Sequence, residues 1–324
     1  MSDITKATLF MVVSTFSLSV GGLAAKYLAE IMPVTLLVFS RFFFPGLILL
    51  SFLVFVRLRK PSRTLLKPIV SRALCMTACQ LCFLSSLQSL TLVESIVLFS
   101  TGPLFIPVLE KLIFGVKFNP RTLVCLGMTF TGVVLMAGNL SEFDFKPAIL
   151  IGLMAGFFNS GSQVSLYRAS KGELSAAEMN AWTFLIAALL ASPIMIYSLL
   201  DIVSLDQALI TNVGEGFTLS NYYWVGLVLA MFAGFTINTQ ICRAKAYRLV
   251  SSGSQLAPLI FTTLLFSAIW QALLFDDTFS NQKLFGIGLI IFASMVNTFL
   301  SHRKHKLALK LDTEKPKAVN ECRP

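Results

Sequence analysis

Charged residues are scarce in this sequence. Asp, Glu, Lys and Arg make up 13% of its 324 residues, whereas a soluble domain devotes about a quarter of its residues to charge. Hydrophobic residues supply 56%, and the mean hydropathy is +0.78. Since ~20 apolar residues cross the ~30 Å hydrocarbon core of a bilayer, this composition excludes a large soluble domain and predicts a multi-pass membrane protein.

Histidine is almost missing. The only two, His302 and His305, lie in the charged C-terminal stretch SHRKHK. The segment NSGSQ (159–163) places serines beside a glycine, as an intramembrane serine protease would, but that chemistry needs a base within reach of the nucleophile. The sequence therefore predicts neither an enzyme nor a cofactor.

Cysteine is also sparse, with six residues, five of them inside apolar runs. This placement excludes the disulfide framework of a small secreted domain. Cys75 and Cys79 are one helical turn apart and could hold a soft metal ion. Close packing of small residues between membrane helices is the alternative that the sequence favours, so no metal site is predicted.

The apolar runs predict an all-α membrane protein with ten transmembrane helices. Each span must be helical because lipid-exposed backbone has to make its hydrogen bonds within the segment. The predicted spans, numbered 1 to 10 in chain order, are 7–29, 32–56, 69–89, 93–112, 120–139, 147–167, 177–200, 222–243, 252–275 and 283–301.

Basic residues divide unevenly between the two sides of these spans. When the loops are assigned to alternate sides, 22 Lys and Arg fall on one side and three on the other. The larger group includes RLRKPSRTLLKPIVSR (57–72) and RAKAYR (243–248). By the positive-inside rule, this side and both termini face the cytoplasm, in the cytoplasmic (inner) membrane. The net charge of +10 is explained by topology, and no nucleic-acid partner is predicted.

Two segments 161 residues apart share an apolar frame. EKLIFGVKFNPRTLVCLG (110–127) and QALLFDDTFSNQKLFGIG (271–288) agree at five positions without a gap. Each lies at the junction of the fourth and fifth span of a five-span half. Because five is odd, the two halves must cross the membrane in opposite directions, as in secondary transporters whose substrate site lies between inverted repeats. We expect repeats at 1–146 and 147–301 and a basic cytoplasmic tail at 302–324.

The residues around these segments also resemble a known family. Stretches 86–136 and 243–291 are similar to the two EamA repeats of the drug/metabolite transporter (DMT) superfamily, and Lys26–Leu47 is similar to that family's first two spans. The resemblance implies ten helices as two inverted five-helix repeats, with a central cavity lined mainly by spans 1, 3, 4, 6, 8 and 9.

The same resemblance implies a secondary transporter that moves a small polar or amphiphilic metabolite by alternating access. Export of amino-acid-like compounds is preferred, and import of a vitamin or nucleotide-like cofactor, of the riboflavin or S-adenosylmethionine type, is the alternative. A channel and a lipid scramblase are the other functions that this architecture leaves open. The expected partners are the small-molecule substrate and the lipid bilayer, and the protein is either a monomer or a homodimer.

Polar side chains inside the spans are the candidate transport residues, because such groups are costly in lipid and by default face the bundle interior. The alternative is that they only join helices. The cavity candidates are Ser17, Gln80, Thr101, Asn159, Gln163, Tyr167, Asn238, Thr262 and Trp270. The gating or coupling candidates are Arg41, Glu94 and Gln255. The expected helix kinks are at Pro103, Pro107 and Pro258.

Arg41 has three interpretations. It lies about eight residues into span 2, a depth of roughly 12 Å at 1.5 Å per residue. The side chain could reach the outer interface, pair with an acidic residue, or offer its charge to an anionic substrate. Structural pairing is the interpretation that the sequence favours.

Overall fold

A computed structural model describes most of the chain as a helical bundle. The described residues are 2–29, 31–56, 59–87, 98–115, 120–137, 147–205, 219–274, 285–286, 288–293 and 295–296. In these ranges every regular element is a helix. The helices are α1 (Asp3–Ala29), α2 (Val34–Val56), α3 (Arg63–Leu87), α4 (Gly102–Phe114), α5 (Pro120–Ala137), α6 (Pro147–Ser170), α7 (Ala176–Leu205), α8 (Leu219–Leu249), a 3₁₀ turn (Gly253–Gln255), α9 (Ala257–Ile260) and α10 (Thr262–Leu274).

Six of these helices are long and apolar enough to cross a membrane: α1, α2, α3, α6, α7 and α8. The predicted class, an all-helical membrane protein, is confirmed for the described residues. The ten-span count, the inverted repeat and the side on which the termini lie stay predictions.

Two of the helices that exceed their predicted spans contain buried arginines. α3 begins at Arg63 and α8 continues to Leu249, so Arg72 and Arg243 lie within helices although they were assigned to loops. Their side chains are 1% and 4% exposed. The loop assignment was wrong because the side count took charges near a span end as loop charges, although the predicted spans 69–89 and 222–243 include both residues, and these charges lie against neighbouring helices. The excess of basic residues on one side remains large without them.

The helices pack in pairs that are distant in sequence. α1 packs along α8, α3 along α6, and α2 along α7. α4 packs against α6, and α10 packs against α1.

Glycines allow α4 and α6 to approach closely. A Cβ added to Gly156 would lie 2.5 Å from Thr101 Oγ1, and one added to Gly152 would lie 2.7 Å from Leu98 Cδ1. At Gly156 the backbone oxygen of Leu98 also lies 2.9 Å from the added Cβ, so a side chain there would push the two helices apart, whereas at Gly152 the Leu98 side chain would have to move. The Gly152-x-x-x-Gly156 spacing is therefore a packing motif, and it holds the start of α4 against the middle of α6.

One end of the bundle collects the C-terminal ends of α6 and α8 and the N-terminal ends of α1, α3 and α7. Its apolar core includes Met11, Ile69, Leu166, Met179 and Tyr247. We call it the basic end, because its helix ends and connecting segments carry basic side chains. These include Arg59, Arg63, Lys171 and Arg248.

Candidate substrate cavity

A cavity of about 310 Å³ lies among the helices. This volume is at the small end of the range for ligand sites. Helices α2 and α7 contribute to its wall through Arg41, Phe42 and Phe184, in addition to the spans that the family resemblance implied. An adjoining pocket of about 40 Å³ shares Leu18 and Arg41 with it.

Phenylalanine is the most frequent residue type in the cavity wall. Five phenylalanines line it, and the rings of Phe83 and Phe99 meet edge to face with their centroids 5.4 Å apart. The five are Phe42, Phe83, Phe99, Phe184 and Phe261. Such a wall suits the apolar body of a small ligand.

Among the residues that the structure describes, the charged side chains of the lining are all positive. Arg41 and Arg243 are these charged members, and the other polar members are amides and hydroxyls. Arg243 is 4% exposed, and its Nε and Nη2 atoms have no hydrogen-bond partner among the described residues. The neutral polar members are Gln80, Ser100, Asn159, Ser162, Gln163, Thr236, Gln240 and Thr263.

A third arginine, Arg72, lies behind this lining. Its Nη1 donates to Asn180 Oδ1 at 2.8 Å and its Nη2 to Gln240 Oε1 at 2.9 Å. The second bond uses the amide oxygen of Gln240, so both N–H donors of its amide nitrogen are available for other contacts.

Three of the predicted cavity residues, Gln80, Asn159 and Gln163, line the main cavity. Ser17 lines the smaller pocket, and Arg41 lines both. No carboxylate of the described residues lies within ion-pair distance of Arg41. The pairing that the sequence favoured for Arg41 is therefore not found in this part of the chain, and its guanidinium lies 5.9 Å from the ring centroid of Phe232.

Four predicted cavity residues lie outside the lining. Asn238 Nδ2 donates to Ser17 Oγ at 2.7 Å, joining α8 to α1. The other three also make hydrogen bonds inside the bundle: Thr262 Oγ1 with Thr15 Oγ1 at 2.7 Å, Trp270 Nε1 with Ser19 Oγ at 3.1 Å, and Thr101 Oγ1 with Leu98 O at 2.6 Å. Asn238, Thr262 and Trp270 fit the alternative in which polar groups join helices, whereas the Thr101 bond lies within its own turn.

The remaining candidates occupy the basic end. Tyr167 donates to Ser251 O at 2.5 Å, and Gln255 Nε2 donates to Ser251 Oγ at 2.9 Å. Lys171 Nζ contacts Arg248 O at 2.9 Å and Val250 O at 2.5 Å. Partial desolvation and the nearby Arg248 guanidinium lower the pKa of Lys171. Glu94 lies outside the described residues.

Glu110 lies at the centre of a buried polar cluster. It is 1% exposed, and its carboxylate accepts from Gly253 N at 2.5 Å, Ser252 Oγ at 2.7 Å and Ser254 N at 3.2 Å. We call these four residues the Glu110 cluster. It ties α4 to the 3₁₀ turn that precedes α9.

Sequence reasoning missed Glu110, Arg72 and Arg243. All three fall inside the predicted spans 93–112, 69–89 and 222–243, and an ionisable residue in a span is by itself a functional signal. That signal was not used, because the two arginines were counted with the loops and Glu110 was not singled out.

The prolines divide in two groups. Pro103 and Pro258 lie in the first turns of α4 and α9, where the absent N–H has no helical partner to lose. The expectation of an interior kink at these two residues is therefore corrected. Pro107 lies inside α4, as expected.

The serine beside the glycine in NSGSQ has a structural role. Ser160 Oγ donates to Gly102 O and to Gly156 O, the second at 3.0 Å. This contact joins α6 to α4 near the cavity wall.

Comparison with known proteins supports this architecture. One solved structure, titled only "Crystal structure of protein", has a TM-score of 0.69 to this chain at 17% identity, and the match covers 91% of this chain and 98% of that one. The likeness shows a shared fold. No curated protein matches the sequence.

The sequence also matches the model of the EamA-like transporter family over residues 5–138. This match confirms the predicted EamA resemblance over residues 5–138, where the chain is similar to a family of membrane transporters.

Proposed function

We propose that this protein is a carrier that moves a small polar or amphiphilic metabolite across the membrane by alternating access. The observation that carries the proposal is the cavity of about 310 Å³ with apolar and polar walls, buried among helices able to span a membrane in a chain with a transporter-family match.

The cavity wall supports two repeats related by the 161-residue offset. Ser100 and Phe261 are both lining residues at which a helix is interrupted. Next to them, Thr101 Oγ1 donates to Leu98 O at 2.6 Å, and Thr262 Oγ1 donates to Leu259 O at 2.7 Å. Three lining pairs have this offset: Phe99 and Ile260, Ser100 and Phe261, and Pro103 and Leu264.

Helices α3 and α8 support the same relation with an offset of 160. Three lining residues of α3 each have a lining residue of α8 160 positions later in the chain. In one of these pairs both residues are glutamine. The pairs are Met76 and Thr236, Gln80 and Gln240, and Phe83 and Arg243. The repeats proposed at 1–146 and 147–301 therefore meet at the cavity, which is where inverted-repeat carriers place their substrate.

Helix packing agrees with this proposal. In the proposed repeats, α1 of the first half corresponds to α6 of the second, and α3 corresponds to α8. The α1–α8 pair therefore corresponds to the α6–α3 pair, and both pairs pack closely. In a carrier with inverted repeats, exchanging the conformations of the two halves converts one open state into the other.

We also propose that the basic end faces the cytoplasm and that the Glu110 cluster closes the cavity on that side. The excess of Lys and Arg at the basic end supports this orientation. Inward opening would then separate α4 from residues 252–254 and break the three hydrogen bonds of Glu110.

The direction of transport stays a prediction. Export of amino-acid-like compounds is the function preferred from the sequence, with import of a vitamin or nucleotide-like cofactor as its alternative.

Purified protein in proteoliposomes tests the carrier proposal. Labelled amino acids, organic acids, nucleosides and vitamins are offered with and without the same unlabelled compound inside the vesicles. A carrier gives saturable uptake that internal substrate accelerates. Ion currents that do not saturate would contradict the proposal and indicate a channel.

A further inference from the structure

We infer that the cavity binds a small organic anion, whose carboxylate or phosphate group pairs with the guanidinium of Arg243, with Arg41 as the second positive charge. The inference rests on the proposed function only in taking this cavity as the transport site. It assigns the class of substrate.

The first observation is that unpartnered polar atoms concentrate here. Among the described residues, six buried side-chain polar atoms lack a hydrogen-bond partner. Four of these belong to lining residues of the two adjoining pockets, whereas buried polar groups are normally paired. The four are Arg243 Nε, Arg243 Nη2, Thr263 Oγ1 and Thr239 Oγ1.

The second observation is the sign of the charge. Arg243 lies close enough to Arg41 and Arg72 for their positive charges to repel one another. No Asp or Glu lines the cavity in the described part of the chain. An anion would reduce this repulsion, whereas a cation would increase it.

The hydrogen-bonding geometry of arginine narrows the class of anion to carboxylates and phosphates. A guanidinium donates in a planar fork that matches a carboxylate or phosphate through two parallel hydrogen bonds. Arg243 Nε and Nη2 are the two atoms without partners, and adjacent N–H groups of this kind form one edge of such a fork. The five phenylalanines of the wall would surround the apolar body of the same molecule.

The absence of a lining carboxylate also separates this class from amino acids. The ammonium group of a zwitterion would enter a site that already contains two arginines and would find no acidic partner in the described lining. We therefore expect an anion to bind more tightly than the amino acid of the same shape.

Four compounds of similar shape test this order: phenylacetate, phenylacetamide, phenylalanine and phenethylamine. Their binding to the detergent-solubilised full-length protein is measured by calorimetry and by the thermal shift that a ligand produces by mass action. Phenylpyruvate and phenyl phosphate extend the anionic set and distinguish carboxylate from phosphate. We expect the anions to bind at least about 10-fold more tightly than the neutral, zwitterionic and cationic compounds.

Variants locate the binding in the cavity. Arg243→Met should weaken anion binding at least about 10-fold, and Arg243→Lys, which keeps the charge but loses the fork, should fall between it and the wild type. Arg168→Met is the matched control, because Arg168 is exposed and lies outside the cavity. It should bind as the wild type does, and a melting curve of each variant confirms that it is folded.

Three results would overturn the inference: none of the three anions binds, phenylalanine or phenylacetamide binds as tightly as phenylacetate, or Arg243→Met retains full affinity. The carrier proposal fails separately. Anion binding that depends on Arg243 without counterflow in proteoliposomes would contradict transport and leave the inference standing. Counterflow of a neutral or cationic compound that is insensitive to Arg243→Met would support transport and contradict the inference.

Discussion

Two buried charges of this molecule have opposite surroundings. The Glu110 carboxylate, 1% exposed, accepts three hydrogen bonds from residues 252–254. Arg243, 4% exposed, has two nitrogen atoms without partners and repels the nearby Arg72 and Arg41. A buried charge with a full set of partners stabilises the contact that it makes, whereas a buried charge without them lowers stability.

This difference indicates that Glu110 makes a structural contact, whereas Arg243 belongs to a binding site. Glu110 holds two segments of backbone together, so its chemistry is complete within the protein. Arg243 costs stability in the described structure, and proteins tolerate such costs mainly where function uses them. Variants that alter stability in opposite directions can test this comparison.

The largest effect is expected for Glu110→Gln. The amide turns a donor toward groups that are themselves donors, so we expect the free energy of unfolding to fall by about 2–3 kcal/mol. Thermal and SDS-induced unfolding of the purified protein measure it. Glu173→Gln, a matched change at an exposed position, should change stability by less than about 0.5 kcal/mol, and equal effects of the two variants would contradict the structural role of Glu110.

Asn180→Leu extends the comparison to Arg72, whose Nη1 and Nη2 atoms have hydrogen-bond partners. It removes the acceptor of Arg72 Nη1, a bond of 2.8 Å, and leaves that donor buried. The free energy of unfolding should fall by about 1–3 kcal/mol. If stability is unchanged, Arg72 does not depend on this contact. Asn238→Leu, at another inter-helix amide, shows how much of the loss is specific to a charged partner.

Arg243→Met should act in the opposite direction. Replacing a buried, unpaired guanidinium with an apolar side chain of similar length removes the desolvation penalty, so the unliganded protein should gain about 1 kcal/mol. Unfolding without added ligand measures the gain. Arg168→Met should leave stability within about 0.5 kcal/mol. A clear loss of stability in Arg243→Met would show that this arginine has a structural partner.

The smallest effect is expected for Tyr247→Phe. Its hydroxyl donates to Gln163 Oε1 at 3.2 Å, a long neutral hydrogen bond for which we expect the low end of the usual range, about 0.5 kcal/mol. Tyr223→Phe is the control, since Tyr223 is 78% exposed and should change nothing measurable. A loss as large as that of Glu110→Gln would mean that Tyr247 contributes more than a single contact.

Sequence reasoning located part of the cavity. Gln80, Asn159 and Gln163 were predicted from their depth in the spans, and all three line it. Asn238 and Thr262 were predicted by the same rule but bond to α1. The rule finds polar groups that avoid lipid, and it does not distinguish a cavity from a neighbouring hydroxyl.

Charged residues near span ends were the least predictable. Arg243 follows an apolar run and precedes Lys245 and Arg248, so the hydropathy pattern places it at the very end of the predicted span 222–243, where a charge is expected to be exposed. Its burial depends on α8 continuing for six more residues and packing against other helices. Neither event leaves a mark in the local sequence.

The sequence by itself determined the membrane class, the helical nature of the described chain and its EamA-like character, because these depend on composition and on patterns that are local in the chain. Only the tertiary structure decided which polar side chains meet at the cavity, which are used between helices, and which charge lacks partners. Those outcomes depend on contacts between residues such as Arg72 and Asn180, or Ser17 and Asn238, that are more than 100 positions apart. A hydrogen bond of that kind forms only once packing has brought both helices together.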